Sequence, residues 1–424
     1  MKYSLKILPT GLKIITILLT DTPTVTVLVM VEAGSKYETK EINGLSHFLE
    51  HMCFKGTEKR PTAFSISREL DSLGAQSNAF TSQEFTGYYA KSHKKHLEKL
   101  LDVISDIYLN QKFDEKEIDK EKGVVIEEIH MYQDLPQKHV FDIFSSLLYG
   151  DQPAGWPITG PKENIKSLSR EDFLRYRNAH YVAEATTVIV SGSIDQAFVE
   201  EQVEKLFSSI STKEKGIKLS VIEKQESPKI LIEGKATDQT HLVLGVRTYP
   251  VGHKNMPALK VMSAILGGGM SSRLFQKLRE EMGVTYYVRA ESDLYTDHGY
   301  LAISAGVPKD RVVEVVHAIV SELTRFIKEP VSSSELEKVK DYLIGTMYLE
   351  LESSDALAEF YGYQSVLAQP LKTPDEFAEK IKAVTAEDIS IVAQEIFTDS
   401  KLNLAIVGDI KKSQPLKDAL SFQS

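Results

Sequence analysis

Residues 14–33 read IITILLTDTPTVTVLVMVEA. β-Branched residues dominate on both sides of Asp21-Thr22-Pro23, a turn signal, so the stretch predicts two adjacent strands forming an antiparallel pair. The period then changes. Leu45, Phe48, Leu49 and Met52 recur at helical spacing, and the pattern turns polar beyond Lys55 and Gly56, which predicts a helix over 45–54. Working outward, the chain offers a helix over 63–73, strands over 75–81 and 84–91, long helices over 96–109 and 115–133, and another helix after Pro136. A Gly- and Pro-rich loop spans 150–161. Helix 170–178, strand 185–191 and helix 196–206 follow.

Residues 211–228 are polar and aperiodic, as an inter-domain linker would be. Beyond them the order repeats: strands 229–234 and 240–246, helices 257–266 and 272–281, strands 285–293 and 298–305, then helices 309–328 and 333–352. Helices 373–382 and 386–396 and strand 401–408 end the chain. Ile189-Val190-Ser191-Gly192 and Ile406-Val407-Gly408 close the two halves alike. The expected fold class is therefore α+β, a duplicated unit with domains 1–210 and 229–424 joined by the linker 211–228. Length agrees, because 424 residues exceed the roughly 250–300 that one core supports.

Composition excludes several classes of function. With 42% hydrophobic and 26% charged residues the chain is globular, and a net charge of −10 has the wrong sign for a general nucleic-acid binder. Cys53, the single cysteine, cannot form an intrachain disulfide, so a reducing cytoplasm is the expected compartment. Lys2, Lys6 and Lys13 interrupt the amino-terminal apolar runs before a signal-peptide core can form, and the first arginine is Arg60, unlike an Arg-rich presequence. The longest apolar stretch, 24–31, is too short to span a membrane.

The helix 45–54 contains His47-Phe48-Leu49-Glu50-His51. At 3.6 residues per turn the two imidazoles stand one turn apart on one face with Glu50 beside them. Two such imidazoles can share one Zn²⁺ and leave positions open for a third protein ligand and water, while an adjacent carboxylate can take the water's proton. Glu121, Glu127 and Glu128 on the charged helix 115–133 are candidates for the third ligand. Chance alone places this pentapeptide in roughly 2–3% of such chains, so the motif needs its surroundings.

Those surroundings resemble the pitrilysin or insulinase-type metallopeptidases, in which this pentapeptide is the inverzincin signature. The matching blocks are Gly44-Leu-Ser-His-Phe-Leu-Glu-His-Met-Cys-Phe-Lys-Gly-Thr57, Asn78-Ala-Phe-Thr-Ser-Gln-Glu-Phe-Thr-Gly-Tyr-Tyr89 and Glu121-Lys-Gly-Val-Val-Ile-Glu-Glu128. The resemblance covers essentially the whole chain and is nearest to the short, processing-peptidase-like members. It implies Zn²⁺ held by His47, His51 and Glu128, with Glu121 in support and Glu50 as general base. Glu127 lies one residue away, and a helix turns about 100° per residue, so only one of the pair can face the metal.

In the second half, Ser272-Arg-Leu-Phe-Gln-Lys-Leu-Arg279-Glu-Glu-Met-Gly-Val-Thr-Tyr286 resembles the family block that helps hold substrate, which points to Arg279 and Tyr286. The family fold implies two similar domains, each a mainly antiparallel sheet with helices on one face, forming a clamshell-like chamber. A partner copy usually closes it, so a homodimer or a paralogous pair is expected. The stretch Gln76–Thr81 reads either as an ordinary buried strand or as an edge strand. As an edge, Asn78, Ala79, Phe80 and Thr81 would bind an extended peptide by main-chain pairing.

Other features read more simply. Gly267-Gly268-Gly269 lacks the Gly-Lys-Ser/Thr of a phosphate loop and reads as a turn. His93, His96, His130 and His139 have no suitably placed partner for metal binding, Trp156 reads as a loop anchor, and Cys53 as a buried thiol facing away from His47 and His51. The expected activity is zinc-dependent endopeptidase cleavage of peptides or unfolded small proteins, the net charge favouring neutral or basic ones. The alternative is a non-catalytic structural or peptide-binding subunit of a processing complex.

Overall fold

The computed structural model describes residues 2–410 and 413–422, which build two compact units. The first comprises Met1–Ile129, Trp156–Leu219 and Tyr348–Thr373. Its sheet is six-stranded: β1 (Lys2–Ile7), β2 (Lys13–Leu18), β3 (Thr24–Val31), β4 (Gln76–Thr81), β5 (Thr86–His93) and β6 (Thr186–Gly192), in the order β1-β2-β6-β3-β5-β4. The run 14–33 gives β2 and β3 as expected, but they do not pair with each other. β6 lies between them, parallel to β2 and antiparallel to β3. Every residue of β6 is buried, and Val188-Ile189-Val190 is apolar on both faces, so the centre of the sheet is where it buries most surface. β1, absent from the sequence reading, takes the outer edge of β2 with Leu5 and Ile7 exposed. All pairings except β2–β6 are antiparallel.

One face of this sheet carries the main core. Val25, Val27 and Val29 pack there with Leu45, Phe48 and Leu49 of α1 (Leu45–Cys53), the helix Leu97–Leu109, and Ile118 and Val125 of α2 (Glu115–Asp134). The opposite face is covered too. Ile15, Ile17, Leu28, Met30 and Ile189 meet Ala358 and Tyr361 of the helix Ser354–Val366. Burying side chains of this size contributes roughly 1.5–3 kcal/mol each. The sequence gives this helix no clear apolar stripe because Ser354, Ala358, Gly362 and Ser365 all face the sheet. Small residues let it approach closely: a Cβ on Gly362 would stand 2.5 Å from Met30 Sδ.

The second unit comprises His130–Gly155, Ser220–Met347 and Pro374–Ser424. Its strands are β7 (Lys229–Glu233), β8 (Thr240–Arg247), β9 (Val288–Leu294), β10 (Gly299–Val307) and β11 (Asn403–Val407), in the order β7-β11-β8-β10-β9. This is the β2-β6-β3-β5-β4 order of the first unit, again with one parallel pair, β7–β11. Leu242, Leu244, Leu301 and Ile303 pack on the helices Met256–Gly267, Val312–Lys328 and Ala386–Ile396, and Val243, Ala302 and Ala405 on the helix Pro136–Tyr149. Part of the expected 272–281 helix, Phe275–Glu281, is π-helical.

The units are therefore interleaved in sequence, which corrects a division into 1–210 and 229–424. Residues 130–155 belong with the second sheet and 348–373 with the first. Each of these segments supplies the helix that covers an otherwise bare sheet face, which main-chain order alone does not reveal. Residues 212–228 form no helix or strand. No helix among the described residues is long and apolar enough to cross a membrane.

Candidate metal centre

α1 begins at Gly44, whose φ of 102° lies in the left-handed region, and a Cβ there would stand 2.6 Å from the Thr159 carbonyl oxygen. Its first N–H groups are received by the buried Glu38 carboxyl: Gly44 N at 2.8 Å and Ser46 N at 2.6 Å. With Leu45, Phe48, Leu49 and Met52 turned into the core, His47, Glu50 and His51 occupy the other side. The two imidazole rings stand 4.8 Å apart.

α2 brings Glu121 and Glu128 to the same place, because seven residues are nearly two whole turns. Glu128 Oε2 lies 3.6 Å from His47 Nε2 and 3.3 Å from His51 Nε2, and Glu127 points to solvent. Ligand atoms of a tetrahedral zinc, at about 2.0–2.1 Å from the ion, are separated from one another by about 3.4 Å. Glu128 Oε2 already stands close to that spacing from both imidazole nitrogens, and the three ligand atoms all lie within 4.8 Å of one another. His51 Nδ1 is 3.0 Å from Glu121 Oε1, which fixes the tautomer that leaves Nε2 free to ligate. Lys55 Nζ holds the other Glu121 oxygen at 2.5 Å. The donor set of two imidazoles and a carboxylate, with a second carboxylate behind one imidazole, therefore fits zinc.

The electrostatics are those of a strongly coupled cluster. The His47 and His51 hydrogen bonds hold Glu128 well below the usual carboxylate range. Burial opposes a charge on His51, but the Glu121 and Glu128 hydrogen bonds overcome it and lift its pKa to about 9. Burial would raise the Glu121 carboxyl, yet hydrogen bonds from His51 and Lys55 bring it below its ordinary value. Glu50 goes the other way: burial raises it, and a 2.5 Å hydrogen bond from Thr81 Oγ1 offsets part of that.

The remaining expected residues fall as follows. Asn78, Ala79, Phe80 and Thr81 lie on β4, the edge of the sheet, bonded only to β5, which decides between the edge and buried readings of 76–81. Asn78 is exposed, Ala79 packs on the core, and Phe80 packs on Phe85 and Tyr363 on the opposite face. Arg279 and Tyr286 are neighbours in the second unit. Arg279 Nη1 donates to the Tyr286 carbonyl at 3.1 Å, its guanidinium sits 5.1 Å over the Tyr286 ring, and that ring is 78% exposed. Cys53 is buried, accepts a hydrogen bond from Gln111, and has its thiol pushed up to about 12 by burial, so it is no ligand. In Gly267-Gly268-Gly269, Gly267 lies where a Cβ would stand 2.3 Å from the Ala290 nitrogen, a packing role.

Sequence reasoning missed Glu38, Lys55 and the side-chain role of Thr81. Lys55 was accessible, one turn beyond His51; Glu38 and Thr81 depend on loop and strand placement that spacing does not encode.

Comparison with known proteins adds an independent line. The family model described as Insulinase (Peptidase family M16) matches residues 13–162, and that of the Peptidase M16 inactive domain matches residues 167–343. An uncharacterized zinc protease of Bacillus subtilis is 38% identical over 387 residues, covering 90% of this chain and 93% of the relative. One from Rickettsia felis is 34% identical over 412 residues, covering 96% and 97%. Among solved structures, a protease from Helicobacter pylori superposes with a TM-score of 0.88 at 23% identity, covering 96% of this chain and 99% of that one. A peptidase M16 inactive domain from Pseudomonas fluorescens gives 0.89 at 16%, covering 97% and 100%. At those identities the structural likeness shows the fold.

Proposed function

Because this chain belongs to the insulinase (M16) family of zinc peptidases, we propose that it is a zinc-dependent endopeptidase acting on peptides or unfolded small proteins, with His47, His51 and Glu128 as ligands. The observation that carries this reading is the Glu128 oxygen standing 3.6 and 3.3 Å from His47 Nε2 and His51 Nε2, close to a tetrahedral edge, with the half-buried Glu50 carboxylate on the same helix as the two imidazoles. Zinc bound there supplies a Lewis acid that polarises the scissile carbonyl and lowers the pKa of the attacking water. Glu50 takes the proton from that water and returns it to the leaving amine. Glu121 orients His51 and is itself held by Lys55. The free edge of β4 supports a role in pairing with an extended peptide, and the exposed ring of Tyr286, with Arg279 beside it, supports substrate contact. A cytoplasmic homodimer is the assembly we propose, to be checked by mass in solution.

The test is cleavage of a quenched fluorescent peptide by the wild type, with and without chelator, beside Glu50→Gln. Cleavage that chelator abolishes and that Glu50→Gln loses is expected. Activity insensitive to chelator, or retained in Glu50→Gln, would refute the mechanism. Stoichiometric zinc without turnover would favour the non-catalytic peptide-binding subunit.

A further inference from the structure

Thr81 ends β4 directly opposite Thr86 of β5. Its hydroxyl donates to Glu50 Oε2 at 2.5 Å. Three backbone bonds fix the turn that follows: Ser82 N to Phe85 O at 2.8 Å, Ser35 N to Ser82 O at 3.2 Å, and Lys36 N to Gln83 O at 2.8 Å. The Thr86 hydroxyl, bonded to the Ala33 carbonyl at 2.9 Å, stands 3.5 Å from Thr81 Oγ1 on its other side. Strand alternation sends neighbouring side chains to opposite faces, and Phe80, packed 6.0 Å from Tyr363 and 6.3 Å from Phe85, locks which face Thr81 takes. The hydroxyl is thus held on a rigid element and aimed at one oxygen of a half-buried carboxylate.

We propose that Thr81 is a positioning residue for Glu50: its hydroxyl pins Oε2 and leaves Oε1 free to receive the proton of the attacking water. This rests on the peptidase reading above and moves Thr81 from the substrate's contacts to those of the base. The proton stays on Thr81 throughout, and Glu50 alone changes protonation. One strand then does two things, presenting its outer backbone edge and holding the base with its last side chain.

The experiment compares zinc-loaded wild type, Thr81→Val and Thr81→Ser on a quenched peptide. Valine keeps the shape and removes the donor; serine keeps the donor. For a hydrogen bond to a charged group, kcat of Thr81→Val should fall about tenfold to a hundredfold. KM should stay within about twofold and bound zinc should be unchanged, while Thr81→Ser keeps kcat within about threefold of wild type. Wild-type kcat in Thr81→Val, a raised KM at constant kcat, or a loss in Thr81→Ser equal to that in Thr81→Val would overturn the proposal. Crystal structures of the metal-free wild type and Thr81→Val decide it independently of turnover. The Glu50 carboxylate should leave its position in the variant, and an unmoved carboxylate would overturn the assignment. A zinc-loaded wild type that cleaves nothing would count against the peptidase reading, and the crystal structures would still judge Thr81.

Discussion

Glu38→Gln tests how the helix that carries both histidines is anchored. The Glu38 carboxyl is 4% exposed and receives Gly44 N, Ser46 N and Asn43 Nδ2 at 2.8, 2.6 and 2.9 Å. Three donors at a helix N-terminus would by themselves favour a charged carboxylate. Burial outweighs them and pushes the carboxyl from 4.5 up to about 7. The Ser46 side chain, which also donates to Tyr176, favours the charged form as the three donors do, and burial outweighs it as well. A folded value above the unfolded one means that the stabilisation is complete below about 4.5 and is lost as pH rises through about 7. The difference corresponds to roughly 3 kcal/mol.

Glutamine cannot ionise, and its amide must turn a donor toward one of the N–H groups, which costs about 1–3 kcal/mol at any pH. Urea unfolding of metal-free wild type and Glu38→Gln, followed by circular dichroism between pH 5 and 8.5, isolates the effect, since all other titrations cancel in the difference. The wild type should be the more stable at pH 5, and its stability relative to Glu38→Gln should fall by about 2.5 kcal/mol by pH 8.5, closing or reversing the gap. A gap that is constant, or that widens with pH, would mean that the three donors win over burial and that Glu38 is ionised throughout.

Two further outcomes follow from the same unit. Glu121→Gln keeps the size of the group that orients His51 and removes its charge, so zinc affinity measured by competition with a chromogenic chelator should weaken about 10–100-fold, and unchanged affinity would remove Glu121 from the centre. Arg60, 3% exposed, bonds Glu69, Asp102 and Asp106 at 2.7–3.0 Å; Arg60→Ala leaves the buried Asp106 charge with only the neutral donors Thr57 and Asn110 and should cost about 3–5 kcal/mol in urea unfolding, whereas a loss under about 1 kcal/mol would show that those donors and water suffice.

What the sequence discloses here depends on how local the cause is. His47, Glu50 and His51 are legible because one helix fixes their spacing. Glu121 and Glu128 are legible as a pair for the same reason, but choosing Glu128 over Glu127 needs the helix's rotation, which the structure supplies by exposing Glu127 and facing Glu128 to both imidazoles. Thr81 is 31 residues from Glu50, and their contact exists only through the register of β4 on β5. The same limit hid the place of β6 between β2 and β3, and the helix Ser354–Val366, whose buried side mixes Ser354, Gly362 and Ser365 with Ala358 and Tyr361 and so does not read as an apolar stripe.

The duplication also bears on why, among the described residues, the His47, His51 and Glu128 cluster has no counterpart on the equivalent helix of the second copy. By sheet order β8 is the counterpart of β3, so the helix Met256–Gly267 that follows β8 stands in the place of α1. In α1 the apolar residues occupy one side, leaving His47, Glu50 and His51 on the other, where α2 brings its carboxylates. In Met256–Gly267 the run Ala258-Leu259, then Val261 to Leu266, is buried all round. Such a helix has no side to lend to ligands, since an unpaired imidazole or carboxylate there would have to be desolvated without a cation to compensate. Both copies satisfy the same packing problem with the same strand order, and the chemistry turns on whether the helix keeps one face out of the core.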